Sequence, residues 1–216
     1  EIIEAGIADS AFSGAALAIG RHGRLVSLQG FGELQYGTRR PVTPTSIFDL
    51  ASVSKVVGTT TAAMILVSEG ALDLDAPVVD YLPWWAEGDD RKNRVTVRQL
   101  LTHRTGLIPF RTWYFEIEGM DAYKEAAANE PLEVDPGTRT AYSDIGIMTL
   151  AWVIEEVSGQ TLDEFLQDRL GDELGMLETR YNPESTLRPR IAATEAIALV
   201  SLTNHILCST PLSSVA

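Results

Sequence analysis

The stretch formed by residues 52–69 constrains the fold of this chain more than any other. Its residues follow helical spacing, and its second half is almost entirely apolar. A helix that is apolar on all sides is usually buried, so we expect this helix to run through the middle of the fold and to end at Gly70. Its first turn carries Ser52 and Lys55, which stand three positions apart and therefore share one helix face.

Ser52 and Lys55 have the spacing of a serine nucleophile that is assisted by a lysine. At the start of a helix, unpaired backbone N–H groups favour negative charge on the serine oxygen and on a nearby oxyanion. Burial inside an apolar helix would lower the pKa of Lys55 and allow it to act as a neutral base. For an isolated Ser-x-x-Lys, a serine cap beside a surface lysine is the simpler interpretation. Neighbouring motifs must therefore decide whether Ser52 and Lys55 form a catalytic pair.

Tyr142 is the second candidate for proton transfer. It stands before an apolar helix predicted at residues 143–157 and follows a Pro-Gly-Thr turn at residues 136–138. A tyrosine beside a lysine ammonium can serve as a general base and then as an acid, although a half-buried core tyrosine is the commoner role. His103, after a short helix with a capping box at Thr96, is interpreted as a packing residue. The three histidines lack ligand spacing, so no metal site is predicted.

The remaining patterns place strands near both ends of the chain and helices between them. The elements that follow from hydrophobic periodicity, turns and capping boxes are a hairpin at residues 14–20 and 24–31, helices at 121–129 and 161–170, and a strand at 196–202. We predict an α/β fold of the α+β type, in which an antiparallel sheet is flanked by helices and carries an inserted helical lobe. One domain would span residues 1–216, with a sheet lobe at 1–75 and 186–216 and a helical lobe at 76–185.

Charge and composition exclude several classes of partner. The net charge of −13 argues against nucleic acid or an anionic membrane surface. The longest apolar run, residues 145–154, is too short to span a bilayer, so no transmembrane segment is predicted. A single cysteine excludes an intrachain disulfide framework. No signal peptide is visible in a chain that begins at Glu1, and the compartment (periplasmic, secreted or cytoplasmic) stays open.

An ordered set of motifs resembles one family over residues 14–194. The set comprises Phe48-Asp49-Leu50-Ala51-Ser52-Val53-Ser54-Lys55, Leu72-Asp73-Leu74-Asp75, Leu100-Leu101-Thr102-His103, Pro136-Gly137-Thr138, Tyr142-Ser143-Asp144 and Leu174-Gly175-Met176. It is similar to that of the serine β-lactamase-like hydrolases, which include class C β-lactamases, DD-peptidases and related esterases. The resemblance implies a β-lactamase/transpeptidase-like fold without cofactor, in which Ser52 is acylated, Lys55 is its partner and Tyr142 is the second acid/base.

Asp144 departs from the family pattern, which often has asparagine at this place. An ionised aspartate only accepts hydrogen bonds and adds negative charge beside the substrate. We therefore predict that Asp144 contacts the substrate and that the leading reaction is hydrolysis of a neutral carboxylic ester or a small amide. A β-lactamase or DD-peptidase (penicillin-binding protein) is the alternative.

A third family motif, Lys or His followed by a small residue and Gly, cannot be found. In the family it lies on a late strand that supplies half of the oxyanion hole, whereas here the chain passes directly from Glu195 to Ala196. The fold is therefore predicted to be incomplete, either by a true deletion or because residues are missing from the sequence. Losing one oxyanion donor costs about 10²–10³ in rate, and losing a strand exposes a sheet edge through which the chain could oligomerise. A non-catalytic relative that binds acyl or peptidoglycan-like ligands is thus a further alternative.

Overall fold

A computed structural model describes residues 1–194 of the chain. These residues divide into two compact units, one formed by residues 1–51 with residues 181–194 and the other by residues 52–180. The candidate residues from Ser52 to Asp144 all belong to the second unit. The lobe boundaries at residues 75 and 186, inferred from the sequence, stay predictions.

The first unit contains the predicted hairpin. Helix α1 (Ile2–Ala8) precedes strands β1 (Gly14–Arg21) and β2 (Arg24–Gly32), which pair in antiparallel orientation. His22 and Gly23 form the two-residue turn, with φ angles of 50° and 72°. Positive φ at both turn positions matches the right-handed twist of the flanking strands. The antiparallel sheet expected from the sequence is therefore confirmed in this part of the chain.

A returning segment joins the end of the described chain to the middle of the first unit. Ile47 forms a parallel bridge with Ile191, and the Ala193 amide donates to the Leu34 carbonyl over 2.8 Å. A short 3₁₀-helix, Ser185–Arg190, leads into this segment. The strand predicted at residues 196–202 lies outside the described residues.

The second unit is built from short helices. The α-helices are α2 (Thr61–Ser68), α3 (Val78–Tyr81), α4 (Val97–Leu101), α5 (Met120–Asn129), α6 (Asp144–Ser158) and α7 (Leu162–Leu166). The 3₁₀-helices are Ala51–Val53, Pro83–Ala86, Asp90–Arg94 and Trp113–Phe115, and Lys55–Thr60 and Gln167–Asp172 are π-helical. The helices predicted at 52–69, 97–103, 121–129, 143–157 and 161–170 are confirmed to within a few residues.

Helix α6 forms the centre of the second unit. The Ser143 hydroxyl caps its start by accepting the Gly146 amide over 3.2 Å, and Gly159 ends it with a φ of 69°. All residues from 145 to 154 are buried. The one hydroxyl on that buried stretch, Thr149, is paired with the indole N–H of Trp85 at 3.1 Å, as a buried polar group requires. This core positions the first turn of α6, where two candidate residues lie.

The helical stretch Ala51–Ser68 is less buried than its composition predicts. Ala62, Ala63 and Leu66 are buried, but Val56 and Met64 are 63% and 64% exposed. The prediction of burial on all sides is therefore wrong for this helix. Within the second unit α6 and α7 pack against part of it, and an apolar composition does not specify how many neighbours a helix has.

The same stretch, Ala51–Ser68, is long and apolar enough to cross a membrane, with a mean hydropathy of 1.3 and 28% of it buried. The core helix of a soluble protein can meet the same criteria, so one such stretch is weak evidence. The absence of a transmembrane segment stays a prediction.

Lys92 is a fully buried cation in the second unit. Its Nζ atom donates to the carbonyls of Ala127 and Ala128, both at 2.7 Å, and to that of Trp85 at 3.3 Å. The first two carbonyls lie in the last turn of α5, where a positive charge also complements the helix dipole. Burial lowers the pKa of Lys92 to about 8, while the carboxylates of Asp89 and Glu130 act in the opposite direction.

Candidate active site

Ser52 and Lys55 lie one turn apart, as predicted. Ser52 is exposed and lies in the 3₁₀-helical turn Ala51–Val53, and Lys55 is the first residue of the π-helical segment. The Lys55 Nζ atom donates a hydrogen bond to Ser52 Oγ over 3.2 Å. The hydroxyl is thus held beside an amine at the start of a helix.

The backbone on both sides of this pair departs from regular α-helix. Ala51 has a φ of 44°, a left-handed conformation that costs about 1–3 kcal/mol for such a residue and is enriched at active sites. In the π-helical segment, the hydroxyl of Thr60 donates to the Lys55 carbonyl over 2.8 Å, and that of Thr61 to the Val56 carbonyl over 3.0 Å. Single π-helical turns are also frequent at functional sites.

Asp144 forms an ion pair with Lys55. The distance between Lys55 Nζ and Asp144 Oδ1 is 2.9 Å, and the two side chains are only 13% and 18% exposed. Asp144 is the first residue of α6, and its amide donates to the Pro109 carbonyl over 2.8 Å. The sequence did not predict this ion pair, which places a carboxylate beside the lysine that was expected to act as a neutral base.

Tyr142 also lies close to the lysine. Lys55 Nζ is 5.1 Å from the centroid of the Tyr142 ring, within the range of a cation–π contact. The Tyr142 side chain is 51% exposed. The structure therefore brings Ser52, Lys55, Tyr142 and Asp144 into one cluster, supplied by the start of the helical stretch at residue 51 and by the start of α6.

His103 joins this cluster, although sequence reasoning did not include it in the site. Its ring centroid is 4.6 Å from that of Tyr142, with 40° between the planes, and its Nδ1 atom accepts the Ser143 amide over 3.1 Å. Burial and the charge of Lys55 lower the pKa of His103 below its usual 6.5, while Asp144 acts in the opposite direction. The imidazole is therefore neutral at pH 7, and the hydrogen bond at Nδ1 assigns its proton to Nε2.

Among residues 1–194, no group of three or more histidine, cysteine, aspartate or glutamate side chains could hold a metal ion. The expectation of a cofactor-free site stays a prediction.

Comparison with known proteins identifies the family. The sequence model of the family described as "Beta-lactamase" matches residues 1–201. Penicillin-binding protein 4 of Amycolatopsis lactamdurans is 37% identical over 186 residues, which cover 83% of this chain and 47% of the relative. An N-acetylmuramyl-L-alanine amidase of Bacillus subtilis (strain 168) is 33% identical over 215 residues, which cover 90% of this chain and 48% of the relative. The chain belongs to the β-lactamase family, whose members are serine hydrolases.

A solved structure gives the same result for the fold. The crystal structure of a class C β-lactamase from Rhodobacter sphaeroides superposes with a TM-score of 0.74 at 28% identity, covering 88% of this chain and 52% of that one. The β-lactamase/transpeptidase-like fold and the resemblance found in the sequence are thereby confirmed. The chain spans about half the length of the relatives it matches.

Proposed function

We propose that this chain hydrolyses a neutral carboxylic ester or a small amide through an acyl-enzyme on Ser52. The observation that carries the proposal is the position of Lys55 Nζ, which lies 3.2 Å from Ser52 Oγ and 2.9 Å from Asp144 Oδ1. A serine hydroxyl held by an amine that is oriented by a third group is the arrangement of an activated nucleophile.

The reaction proceeds in two halves. Ser52 Oγ attacks the carbonyl carbon, the bond to the leaving alcohol or amine breaks, and the serine proton passes to the leaving group. Water then attacks the acyl-enzyme, releases the carboxylic acid and returns a proton to Ser52. We assign the proton transfers in both halves to this pair of residues: the Lys55 ammonium donates to the serine oxygen and orients it, and the Tyr142 phenol, whose ring centroid lies 5.1 Å from the ammonium, takes up the proton and returns it.

The start of the helix supports negative charge on the substrate oxygen. Ser52 lies in the first helical turn, where backbone N–H groups and the helix dipole stabilise an oxyanion. The predicted gap between Glu195 and Ala196, where the family's second oxyanion donor is expected, lies outside the described residues.

The charge of the cluster favours a neutral substrate. Because the Asp144 carboxylate lies 2.9 Å from Lys55, the pair carries no net charge and offers little attraction to a carboxylate on the substrate. A β-lactam or a peptide would bring such a carboxylate. These substrates are nevertheless the second candidate, because the similar proteins include a penicillin-binding protein and an amidase by name.

Covalent labelling tests the nucleophile. The protein is treated with a fluorophosphonate probe and the adduct is mapped by mass spectrometry in the wild type, in Ser52→Ala and in Ser54→Ala as a matched control. We expect a single adduct on Ser52 that is lost in Ser52→Ala and retained in Ser54→Ala. Absence of labelling of the folded wild type would overturn the proposal in favour of a non-catalytic acyl- or peptidoglycan-binding protein.

Turnover tests the substrate class. Values of kcat/KM for a short-chain aryl ester and a chromogenic cephalosporin are compared, with Ser52→Ala as the blank. We expect the ester to be preferred by about tenfold or more, the equivalent of about 1.4 kcal/mol. A clear preference for the β-lactam would exclude the neutral-substrate proposal and support the second candidate.

A further inference from the structure

We infer that His103 is a positioning residue whose neutral imidazole holds Tyr142 beside Lys55 and Ser52. This inference deepens the proposed function and rests on it. Loss of the imidazole, or its protonation, is expected to release Tyr142 and to reduce the rate of acyl transfer without removing the nucleophile.

His103 contacts three consecutive residues around the tyrosine. Its carbonyl accepts the Ala141 amide over 2.8 Å, its ring packs against the Tyr142 ring at 4.6 Å, and its Nδ1 atom accepts the Ser143 amide over 3.1 Å. The main chain is therefore fixed on both sides of Tyr142 by the same residue that contacts its side chain.

The residue after Tyr142 is buried and hydrogen-bonded, whereas the tyrosine side chain is not enclosed. Ser143 is 1% exposed, and its hydroxyl donates to the Ile108 carbonyl over 2.8 Å. Tyr142 is 51% exposed, and its ring packs against the His103 ring and lies within 5.1 Å of the Lys55 ammonium. An exposed side chain samples several rotamers unless a neighbour restricts it, and a misplacement of about 1 Å can cost about 10²-fold in rate.

The backbone conformation of His103 does not by itself require a histidine side chain. Its φ of 54° lies in the left-handed region, which glycine adopts freely and asparagine tolerates better than most residues. A turn that needed only this conformation would be less strained with glycine. The imidazole adds the hydrogen-bond acceptor at Nδ1 and the ring contact, and both are directed at residues 142–143.

Protonation of His103 would remove the acceptor, because the imidazolium carries a proton on both nitrogens. The charged groups that face it are Lys55, which disfavours protonation, and Asp144, which favours it. Burial is the largest cause that keeps the pKa of His103 below 6.5. Because its pKa lies below 6.5, the His103 imidazole is neutral in the folded state above pH 6.5. The positioning of Tyr142 is lost as the pH falls through the depressed pKa of His103.

Two substitutions separate the acceptor from the backbone conformation. His103→Gly relieves the left-handed residue and removes both the acceptor and the ring. His103→Asn tolerates the same φ and offers an amide oxygen close to the place of Nδ1, but it does not titrate. For each variant, kcat and KM with an aryl ester are measured across the range in which histidine titrates, and folding is verified by thermal unfolding.

We expect kcat of His103→Gly to fall by about 10²-fold while KM changes little. We expect the kcat of the wild type to decline on acidification. We expect His103→Asn to retain kcat within about tenfold of the wild type above pH 7 and to lack that decline. The inference is overturned if His103→Gly has the kcat of the wild type. It is also overturned if the kcat of His103→Asn declines at low pH as that of the wild type does. If His103→Gly fails to fold, the dependence of kcat on pH in His103→Asn is sufficient to test the inference.

Fluorophosphonate labelling of Ser52 distinguishes this outcome from failure of the proposed function. A wild type that is neither labelled nor active overturns both the function and the inference. A wild type that is labelled and active, with variants that behave as the wild type does, overturns only the role of His103.

Discussion

Replacing Lys92 by methionine removes the buried cation that caps α5, and we expect it to destabilise the second unit without touching the candidate site. The ammonium has three donors and meets three carbonyls, those of Trp85, Ala127 and Ala128, at 3.3, 2.7 and 2.7 Å. Methionine has a similar length and fills the same volume with apolar atoms, so the loss comes from the polar contacts.

The size of the stability loss depends on which hydrogen bonds the carbonyls keep when the ammonium is removed. The Ala128 carbonyl keeps a hydrogen bond from the Gly88 amide at 3.0 Å. The residue four positions after Ala127 is Pro131, which has no N–H to continue the helix. An unsatisfied buried carbonyl costs about 1–3 kcal/mol, and losing a cation from a helix C-terminus costs up to about 2 kcal/mol in a buried setting. We expect the free energy of unfolding to fall by about 2–4 kcal/mol in Lys92→Met.

Equilibrium unfolding in urea, followed by tryptophan fluorescence, measures this loss. With a denaturant slope of about 2 kcal/mol per molar, the midpoint should fall by about 1–2 M. Lys124→Met is the matched control, because Lys124 is also on α5 but is only partly buried, and it should shift the free energy of unfolding by less than about 0.5 kcal/mol. Equal midpoints for Lys92→Met and the wild type, or equal shifts in both variants, would refute the reasoning.

Three further predictions concern charge and backbone. Asp144→Asn removes the negative charge that is paired with Lys55. The ratio of kcat/KM for a carboxylate-bearing β-lactam to kcat/KM for an aryl ester should therefore rise about tenfold. An unchanged ratio would contradict the electrostatic argument. In Gly106→Ala, the residue keeps a φ of 88° and its new Cβ atom would clash with the Val134 carbonyl oxygen, so the free energy of unfolding should fall by about 2 kcal/mol or more in urea titrations. The hydrogen bond from Arg91 holds the pKa of Asp89 well below its usual 3.8. Its stabilisation is therefore present above pH 3.8 and lost at lower pH, so the stability difference between the wild type and Asp89→Asn should shrink during acid titration.

Local signals in the sequence were sufficient to place most elements. The capping box at Thr96 is present with Gln99, the box at Thr161 is present with Glu164, and Gly159 closes α6. Each of these features depends on residues three or four positions apart, and such short-range contacts can be inferred from the sequence alone.

Contacts between distant residues could not be inferred in the same way. The ion pair of Lys55 with Asp144 and the contact of His103 with Tyr142 join segments far apart in the chain, and no spacing rule predicts them. The exposure of Met64 was missed for a related reason, because apolar character states what a helix can bury and leaves open what packs against it.

The π-helical segment Lys55–Thr60 sets the phase between the candidate nucleophile and the rest of its helix. A π-helical turn is closed by i→i+5 hydrogen bonds and holds about one residue more than an α-helical turn. The same sequence wound as a regular α-helix would therefore turn the face that carries Ser52 and Lys55 by about 100° relative to the buried face of α2. The lysine would then point away from Asp144 even if every side chain of the site were retained. The winding of this segment is thus as specific a requirement of the site as the residues that it carries.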